Sequence, residues 1–209
     1  MDTTKGFKKI LGKMHHLMLK SDDFTIISNN CWGGVIYKYF GMKFQSPTVG
    51  MYFFGDEYIK FLTDLKYYLT QPLIVKKLES SKYKDEIIRR GQNPLIGWLG
   101  DVEIVLLHYH DPEEAVKKWN YRMKRINYDR LIVKFNDQNL FKIEQLEKFE
   151  KLPFKNKICF TGKYYKGYPS TVWFKEYSKV GYVQNDTKMK HWRRYFNVIK
   201  YINSMKTGE

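Results

Sequence analysis

Short apolar runs alternate with amphipathic stretches along most of this chain of 209 residues. Each run is only a few residues long and nearly continuously hydrophobic, which is typical of strands that are buried on both faces. The predicted strands are residues 24–28, 102–107, 131–135 and 157–161, with residues 73–75 and 171–174 as further candidates. Apolar residues at helical spacing predict helices over residues 35–40, 56–69, 112–126, 140–149 and 188–204. The alternation predicts an α/β fold of three layers, with helices on both faces of one mostly parallel or mixed sheet.

The first twenty residues form a basic amphipathic segment of their own. Its apolar residues fall at helical spacing, and they are Phe7, Ile10, Leu11, Met14, Leu17 and Met18. Its lysines fall mostly off that stripe, and they are Lys8, Lys9, Lys13 and Lys20. We therefore divide the chain into a basic amphipathic helix over residues 1–20 and a single α/β domain over residues 21–209. The helix either packs on the domain, which is the commoner use of such a stripe, or lies on an anionic membrane through residues 5–20.

The net charge and the cysteine content indicate which classes of partner and which cellular compartment to expect. The 37 Lys and Arg residues exceed the 22 Asp and Glu residues, which gives a formal net charge of +15. Such a protein attracts phosphate-bearing substrates, anionic membranes or nucleic acid, and the absence of common nucleic-acid-binding motifs disfavours the last of these. The two cysteines exclude a disulfide scaffold, and the first twenty residues lack the apolar core of a signal peptide. We expect a cytoplasmic protein with reduced thiols, peripheral at the inner face of the cell membrane if residues 5–20 bind lipid.

The predicted strand over residues 24–28 leads into the sequence SNNCWGG, a loop before a predicted helix. Ligand sites in α/β proteins lie at the carboxyl ends of parallel strands. Cys31 is therefore a candidate nucleophile, or a thiol beside a bound anion, because a helix N-terminus favours a thiolate. Asn29 and Asn30 are candidate donors to an oxyanion. The alternative is an ordinary turn with an inert cysteine, because Asn-Asn and Gly-Gly are common turn sequences.

Two histidines follow the apolar run of residues 102–107. His108 and His110 share a face if the strand continues, as do Asp101 and Glu103. A histidine can accept and return a proton near neutral pH, and one at the end of a strand can meet a cysteine at the end of another. His108 is thus the candidate general base, and a hydrogen-bonded structural histidine is the alternative. The spacing of these groups matches no defined metal site, so no metal is predicted.

A third group of candidates lies on the predicted helix over residues 112–126. Trp119, Arg122 and Arg125 follow one another at intervals of one helical turn. Two guanidinium groups beside an aromatic ring suit a phosphate or carboxylate, because each group donates two parallel hydrogen bonds. The alternative is a surface helix whose arginines pair with Glu113 and Glu114.

Several of these segments, taken in order, resemble one bacterial protein family. The segments are SNNCWGGVIY, SPTVGMYF, LGDVEIVLLHY, EEAVKKWNYRMKRIN and LPFKNKICFT, and the resemblance covers about residues 24–201. The family is the domain-of-unknown-function family nineteen-nineteen, whose members are described as exopolysaccharide biosynthesis proteins. The resemblance implies a role in making bacterial exopolysaccharide or capsular polysaccharide, implies no particular reaction, and leaves the N-terminal helix outside the matched part. The motif positions in this chain are Asn29, Asn30, Cys31, Gly33, Gly34, Ser46, Pro47, His108, Trp119, Arg122 and Arg125.

The thiol, the imidazole and the arginine pair together favour an acyltransferase, such as an acetyltransferase, acting on a sugar or a lipid-linked glycan. Cys31 and His108 would be catalytic, while Arg122 and Arg125 would bind the phosphates of a coenzyme A thioester as acyl donor. The expected oxyanion or substrate contacts are Asn29, Asn30, Trp32, Gly33, Gly34 and Ser46. One alternative is a glycosyltransferase that uses a nucleotide-sugar. Another is a non-enzymatic subunit that binds the membrane or a glycan, for which Tyr164, Tyr165 and Tyr168 would suit sugar rings.

Overall fold

The structure, a computed structural model, describes the backbone of residues 3–206 and the side chains of residues 6, 7 and 10–206. In this part of the chain the strands are β1 (Thr25–Ser28), β2 (Leu73–Lys76), β3 (Leu95–Leu99), β4 (Val102–Leu106), β5 (Leu131–Asn136), β6 (Asn156–Thr161) and β7 (Thr171–Trp173). The α-helices are α1 (Thr3–Leu17), α2 (Trp32–Tyr39), α3 (Gly55–Thr63), α4 (Leu65–Thr70), α5 (Lys84–Arg89), α6 (Pro112–Met123), α7 (Ile143–Lys151), α8 (Met189–Tyr195) and α9 (Val198–Asn203).

The strands form two sheets. Strands β1, β5, β6 and β7 make a parallel sheet in that spatial order, and β2, β3 and β4 make an antiparallel sheet. The predicted α/β class with a mostly parallel main sheet is confirmed. The strand expected over residues 102–107 lies in the second sheet, however, because only Gly100 and Asp101 separate β3 from β4 and Gly100 has a φ of +58°. A connection this short can join only antiparallel strands.

Both faces of the parallel sheet are covered, since alternate residues of its strands enter two different cores. The first core contains Ile26, Ile132, Ile158 and Phe160, which pack with residues of α2, α8 and α9. The second core contains Ile27, Val133, Phe135 and Cys159, which pack with residues of α3, α7 and the antiparallel sheet. Burial on both faces explains why these strands are almost unbroken apolar runs in the sequence. The exception is Lys134 in the middle of β5, which is fully buried.

Two of the predicted helices are each divided in two. The helix expected over residues 56–69 is α3 followed by α4, and the carboxylate of Asp64 accepts a hydrogen bond from the N–H of Tyr67 at the break. The helix expected over residues 188–204 is α8 followed by α9, and the side chain of Asn197 accepts from the N–H of Lys200. Asp and Asn are strong N-cap residues, because their short side chains satisfy backbone donors at a helix start. Each therefore begins a new helix within a continuous apolar pattern.

Helix α1 packs on the domain through a narrow face that contains a glycine and a histidine. At Gly12 an added Cβ would lie 3.2 Å from the Cα atom of Gly41, so the two backbones approach closely there. His15 stacks on Tyr39 with ring centroids 3.9 Å apart, and its Nδ1 atom lies 3.2 Å from the carbonyl oxygen of Tyr39. The helix is thus attached to the end of α2 by a face that carries few large apolar side chains.

Leu11 is half-buried, but the other large apolar side chains of the expected stripe lie on the other side and face the solvent. The apolar stripe, as we call it, consists of Phe7, Ile10, Met14, Leu17 and Met18, which are between 56% and 86% exposed. Of the lysines expected beside it, Lys13 and Lys20 are exposed, whereas the side chains of Lys8 and Lys9 lie outside the described residues. Within residues 3–206, no helix combines the length and the hydrophobicity that crossing a bilayer requires.

Candidate active site

Cys31 lies in the turn between β1 and α2, at the carboxyl end of the parallel strand. Two glycines follow it and bring α2 close to its neighbours. An added Cβ at Gly33 would lie 3.2 Å from Cγ2 of Ile26, and one at Gly34 would lie 2.9 Å from Cγ1 of Val49. The two glycines are therefore explained by close packing of α2 on β1 and on the segment before Gly50.

That segment, residues 44–50, is held from several sides. Ser46 is buried, its Oγ atom lies 3.0 Å from Oγ1 of Thr48, and it accepts from the N–H of Thr48. Arg122 donates from Nη1 to the carbonyl oxygen of Val49 at 3.0 Å, and Arg125 donates from Nη1 to that of Phe44 at 3.0 Å. Ser46 thus stabilises its own loop, and both arginines position the same loop through backbone carbonyls.

His108 lies just beyond the end of β4 and adjoins this loop. Its N–H donates to the carbonyl oxygen of Gly50 at 3.0 Å, and its side chain is exposed. Gly50 has a φ of +87°, and an added Cβ there would lie 3.6 Å from Cβ of His108. His108 and Cys31 line one cavity of about 530 Å³, which we call the Cys31 cavity. The thiol and the imidazole come from different sheets and meet around the same space.

Three cationic side chains, Lys38, Lys118 and Arg122, also line the Cys31 cavity, and none of its described lining residues is acidic. Lys118 pairs with Glu114 one helical turn away. Arg122 uses Nη1 to bond Val49 and the hydroxyl of Tyr109, its guanidinium lies over the ring of Phe44, and its Nε and Nη2 atoms have no hydrogen-bond partner within residues 3–206. Lys38 is exposed and likewise has no ion pair there. The cavity therefore has the electrostatic character of a binding site for an anion.

The Cys31 thiol is not activated as a thiolate. Its pKa is raised to about 11, chiefly by burial and next by the nearby carboxylate of Asp186, while Lys134 and Lys38 act in the opposite direction. A thiol with this pKa keeps its proton at neutral pH, so it is a poor nucleophile unless a base removes that proton. The helix N-terminus that was expected to favour a thiolate is outweighed by desolvation.

A buried polar network lies directly behind Cys31 and joins β1, β5 and the segment before α8. Lys134 forms an ion pair with Asp186, and both side chains are essentially inaccessible to solvent. Lys134 Nζ also donates to Oδ1 of Asn30 at 3.0 Å, while Asn30 Nδ2 donates to Asp186 at 2.7 Å. Asn136 Nδ2 donates to Asp186 at 2.8 Å and its Oδ1 accepts from Nδ2 of Asn29 at 2.8 Å. The buried charges of Lys134 and Asp186 are thus each satisfied by more than one hydrogen bond within the network.

This network changes the roles expected for the neighbours of Cys31. The amide nitrogens of Asn29 and Asn30 already donate to protein acceptors, so they are not arranged to bind an oxyanion. Trp32 is fully buried and packs edge-on against Phe160 and Trp192, with ring centroids 5.3 and 6.4 Å away. It is therefore a core residue. Of the expected oxyanion and substrate contacts, only Gly34 lines the cavity.

The expected arginine pair does not converge on one ligand. Arg125 stacks on Tyr121 at 4.2 Å from the ring centroid and lines a separate surface depression with Asn127, while Arg122 lines the Cys31 cavity. His110 is exposed and is not part of the Cys31 cavity, because β4 ends at Leu106. Within the described residues, no three His, Cys, Asp or Glu side chains come together as a metal site would need.

Sequence reasoning missed Lys38, Lys118, Lys134 and Asp186. The first two are ordinary surface-type lysines in the sequence, and only the tertiary structure, in which residues of α2 and α6 line the same space, brings them to one cavity. Lys134 did carry a signal, because it interrupts the apolar strand LIVKF, and a buried lysine needs a partner. Asp186, 52 positions further along the chain, carried none.

The fold and the site define an α/β protein with a basic cavity at a sheet edge that combines a thiol, an imidazole and three cations. Residues 3–206 match the sequence model of a family described as "Domain of unknown function (DUF1919)", and the chain belongs to that family. The match begins at residue 3, so α1 is part of the family, contrary to the expectation that it lies outside. A protein of Haemophilus influenzae, named "Uncharacterized protein", is 31% identical over 186 residues, which cover 88% of this chain and 84% of that protein.

Proposed function

We propose that the protein is a transferase of bacterial exopolysaccharide or capsular polysaccharide synthesis, which moves an acyl group from a coenzyme A thioester to a sugar or lipid-linked glycan. The observation that carries this proposal is the composition of the Cys31 cavity. An exposed histidine and three cations line one space, and none of the lining residues in the described part of the chain is acidic. Cations suit the phosphates of coenzyme A, and a histidine suits the removal of a proton from a hydroxyl. The polysaccharide setting is drawn from the resemblance of the chain's motifs to the family.

The residues divide the reaction between binding and proton transfer. Lys38 and Lys118 bind phosphate, and Nη2 of Arg122 is the donor available to the carbonyl oxygen of the thioester. The sugar hydroxyl attacks the thioester carbon while His108 takes the hydroxyl proton. The carbon–sulfur bond then breaks, and His108 returns the proton to the departing sulfur. We assign a direct transfer, in which Cys31 lies beside the donor without forming a covalent acyl intermediate, because burial raises the pKa of the Cys31 thiol and His108 is assigned to the sugar hydroxyl.

Binding of the donor provides the first test. Acetyl-coenzyme A, titrated calorimetrically into the full chain, is expected to bind, and Lys38→Ala and Lys118→Ala are each expected to weaken binding by roughly fivefold. Lys77→Ala removes an exposed lysine outside the Cys31 cavity and serves as the matched control. Failure to bind acetyl-coenzyme A, or equal binding by all three variants, would contradict the proposal. Binding of a nucleotide-sugar in this cavity instead would favour the glycosyltransferase.

We also propose that the protein works at the cytoplasmic face of the cell membrane, with α1 lying on anionic lipid. Contacts of Gly12 and His15 fix the helix on the domain, and Nδ2 of Asn203 donates to the carbonyl oxygen of Met18 at 2.8 Å, so the apolar stripe is held outward. A contiguous stripe of this size is unusual on a surface without a partner. Exposed cations adjoin it along the chain, because Lys13 directly precedes Met14 and Lys20 lies two residues after Met18. An apolar stripe flanked by cations matches the interface of an anionic bilayer.

Vesicle flotation tests the membrane contact. The protein is expected to float with vesicles containing phosphatidylglycerol, and much less with phosphatidylcholine alone. Replacing both Phe7 and Leu17 with serine removes two side chains that are 64% and 86% exposed, and is expected to weaken vesicle binding by more than about 100-fold. The control replaces Ile74 and Ile88, which are 49% and 51% exposed elsewhere. Unchanged flotation of the first variant, or a concentration-dependent dimer without vesicle binding, would refute the contact.

A further inference from the structure

A second cavity lies at the carboxyl ends of β5 and β6, the edge of a parallel sheet at which α/β proteins bind ligands. Its volume is about 780 Å³, within the range of small-molecule sites. The loop after β5, the loop after β6, residues 180–182 and the end of α5 form its walls. We call it the carboxyl-edge cavity. Among the residues that the structure describes, it shares no lining residue with the Cys31 cavity.

The walls of the carboxyl-edge cavity combine cations with aromatic rings. Arg89, Arg90 and Lys163 line it together with Tyr165 and Tyr182, and the carboxylates of Glu86 and Asp137 also belong to its lining. Lys163 is exposed and has no ion pair within residues 3–206, and Tyr182 is 45% exposed. The arginines both pair with Glu86, which holds the two guanidinium groups next to one another. Tyr165 is half-buried, so Tyr182 is the more accessible ring, and cations grouped near such rings match a ligand that is anionic at one end and flat at the other.

The loop after β5 is held in a conformation that costs energy. Asn139 and Leu140 have φ values of +56° and +62°, and no other non-glycine residue in the described part of the chain has a positive φ. Asn139 is tied down by its neighbours, because Nδ2 donates to the carbonyl oxygen of Phe53 and Oδ1 accepts from Arg90. Leu140 is 46% exposed on the cavity wall, so core packing does not explain its strain. Strained loops that are fixed in this way occur preferentially at binding sites.

The floor of the carboxyl-edge cavity is also held in place by hydrogen bonds. The carboxylate of Asp137 accepts from the N–H of Gly162 at 2.6 Å and from that of Val183 at 2.7 Å, which joins the two loops that form the opposite wall. Burial raises the pKa of Asp137 to about 6, so the carboxylate is still ionised at neutral pH and accepts both bonds. The cavity is thus a fixed site with its cations at the rim.

We infer that the carboxyl-edge cavity binds a nucleoside diphosphate, with the phosphates on Lys163, Arg89 and Arg90 and the base against Tyr165 and Tyr182. A bare phosphate would leave the rings unused, and an uncharged sugar would leave the cations unused. The volume accommodates both parts of such a ligand. This inference does not depend on acyl transfer at the Cys31 cavity.

Calorimetric titration of the full chain with uridine diphosphate, adenosine diphosphate and inorganic phosphate tests the inference. Both diphosphates are expected to bind, and inorganic phosphate at least about tenfold more weakly, because it lacks the base. Lys163→Ala is expected to weaken diphosphate binding by about tenfold, and Tyr182→Ala by a similar factor. The matched control is Lys166→Ala, an exposed lysine of the same loop outside the cavity.

Several outcomes would overturn the inference: no binding of either diphosphate, equal affinity of inorganic phosphate, or equal binding by Lys163→Ala and Lys166→Ala. Coenzyme A itself contains an adenosine diphosphate group, so reciprocal variants separate the two sites. Acetyl-coenzyme A binding that is lost in Lys163→Ala and kept in Lys38→Ala would contradict the proposed donor site while supporting the nucleotide site. Diphosphate binding lost only in Lys38→Ala would contradict the nucleotide site.

Discussion

Replacing His108 with alanine is expected to slow acyl transfer by about 10² to 10⁴-fold, because the reaction then lacks its general base. The side chain is exposed at the Cys31 cavity and belongs to neither core, so the variant is expected to fold as the native protein does. The measurement is the release of free coenzyme A from acetyl-coenzyme A in the presence of a sugar acceptor, with circular dichroism to verify folding.

Two control variants make this prediction specific to His108. His110→Ala removes the other histidine of the same segment, which is exposed and lies outside the Cys31 cavity, and it is expected to keep full activity. Cys31→Ala is expected to keep most of the activity, because the thiol is protonated and transfer is direct. Undiminished activity of His108→Ala would disprove the assigned base. An acylated Cys31 detected by mass spectrometry would disprove direct transfer.

Replacing Lys134 with methionine is expected to lower the free energy of unfolding by about 3–5 kcal/mol. The substitution keeps most of the side-chain volume but leaves the carboxylate of Asp186 buried without its cationic partner. Isolated buried charges are far more costly than paired ones. Urea denaturation monitored by circular dichroism measures the loss. Lys76→Met, at an exposed lysine of β2, is the control and is expected to change stability by less than about 0.5 kcal/mol.

A double substitution separates the ion pair from the rest of the network. Combining Lys134→Met with Asp186→Asn removes both charges and leaves one amide oxygen, which can accept from Asn30 or from Asn136 but not from both, because these two side chains donate to different oxygens of Asp186. The double variant is expected to be more stable than Lys134→Met alone, since no unpaired charge remains buried. Equal stability of these two variants, or a loss below about 1 kcal/mol in Lys134→Met, would indicate that the ion pair contributes little.

The buried network around Lys134 also links the stability of the fold to the position of Cys31. Asn30 Oδ1 accepts from Lys134 Nζ and from the N–H of Trp32, which is the first residue of α2. The ion pair therefore helps to set the position at which the chain leaves β1, and with it the position of Cys31. The burial that accompanies this support is also the largest cause of the raised pKa of the thiol.

Much of the α/β framework could be predicted from local pattern. Strands β1, β5 and β6 were predicted within one residue at each end, because burial on both faces requires continuous apolar runs. The separate antiparallel sheet was not predicted, because an apolar run predicts a strand but does not show which other strand it pairs with. The breaks at Asp64 and Asn197 were missed because apolar spacing continues across them.

For the site, the sequence alone indicated Cys31 as a candidate nucleophile and His108 as a candidate base, because side-chain chemistry is a property of each residue. The excess of Lys and Arg likewise indicated that the protein attracts anions. Which groups share a cavity was decided by packing between distant segments. Folding turned the amides of Asn29 and Asn30 inward, directed Arg125 away from Arg122, and paired Lys134 with Asp186. Such outcomes depend on desolvation and on partners remote along the chain, and neither is encoded in the spacing of neighbouring residues.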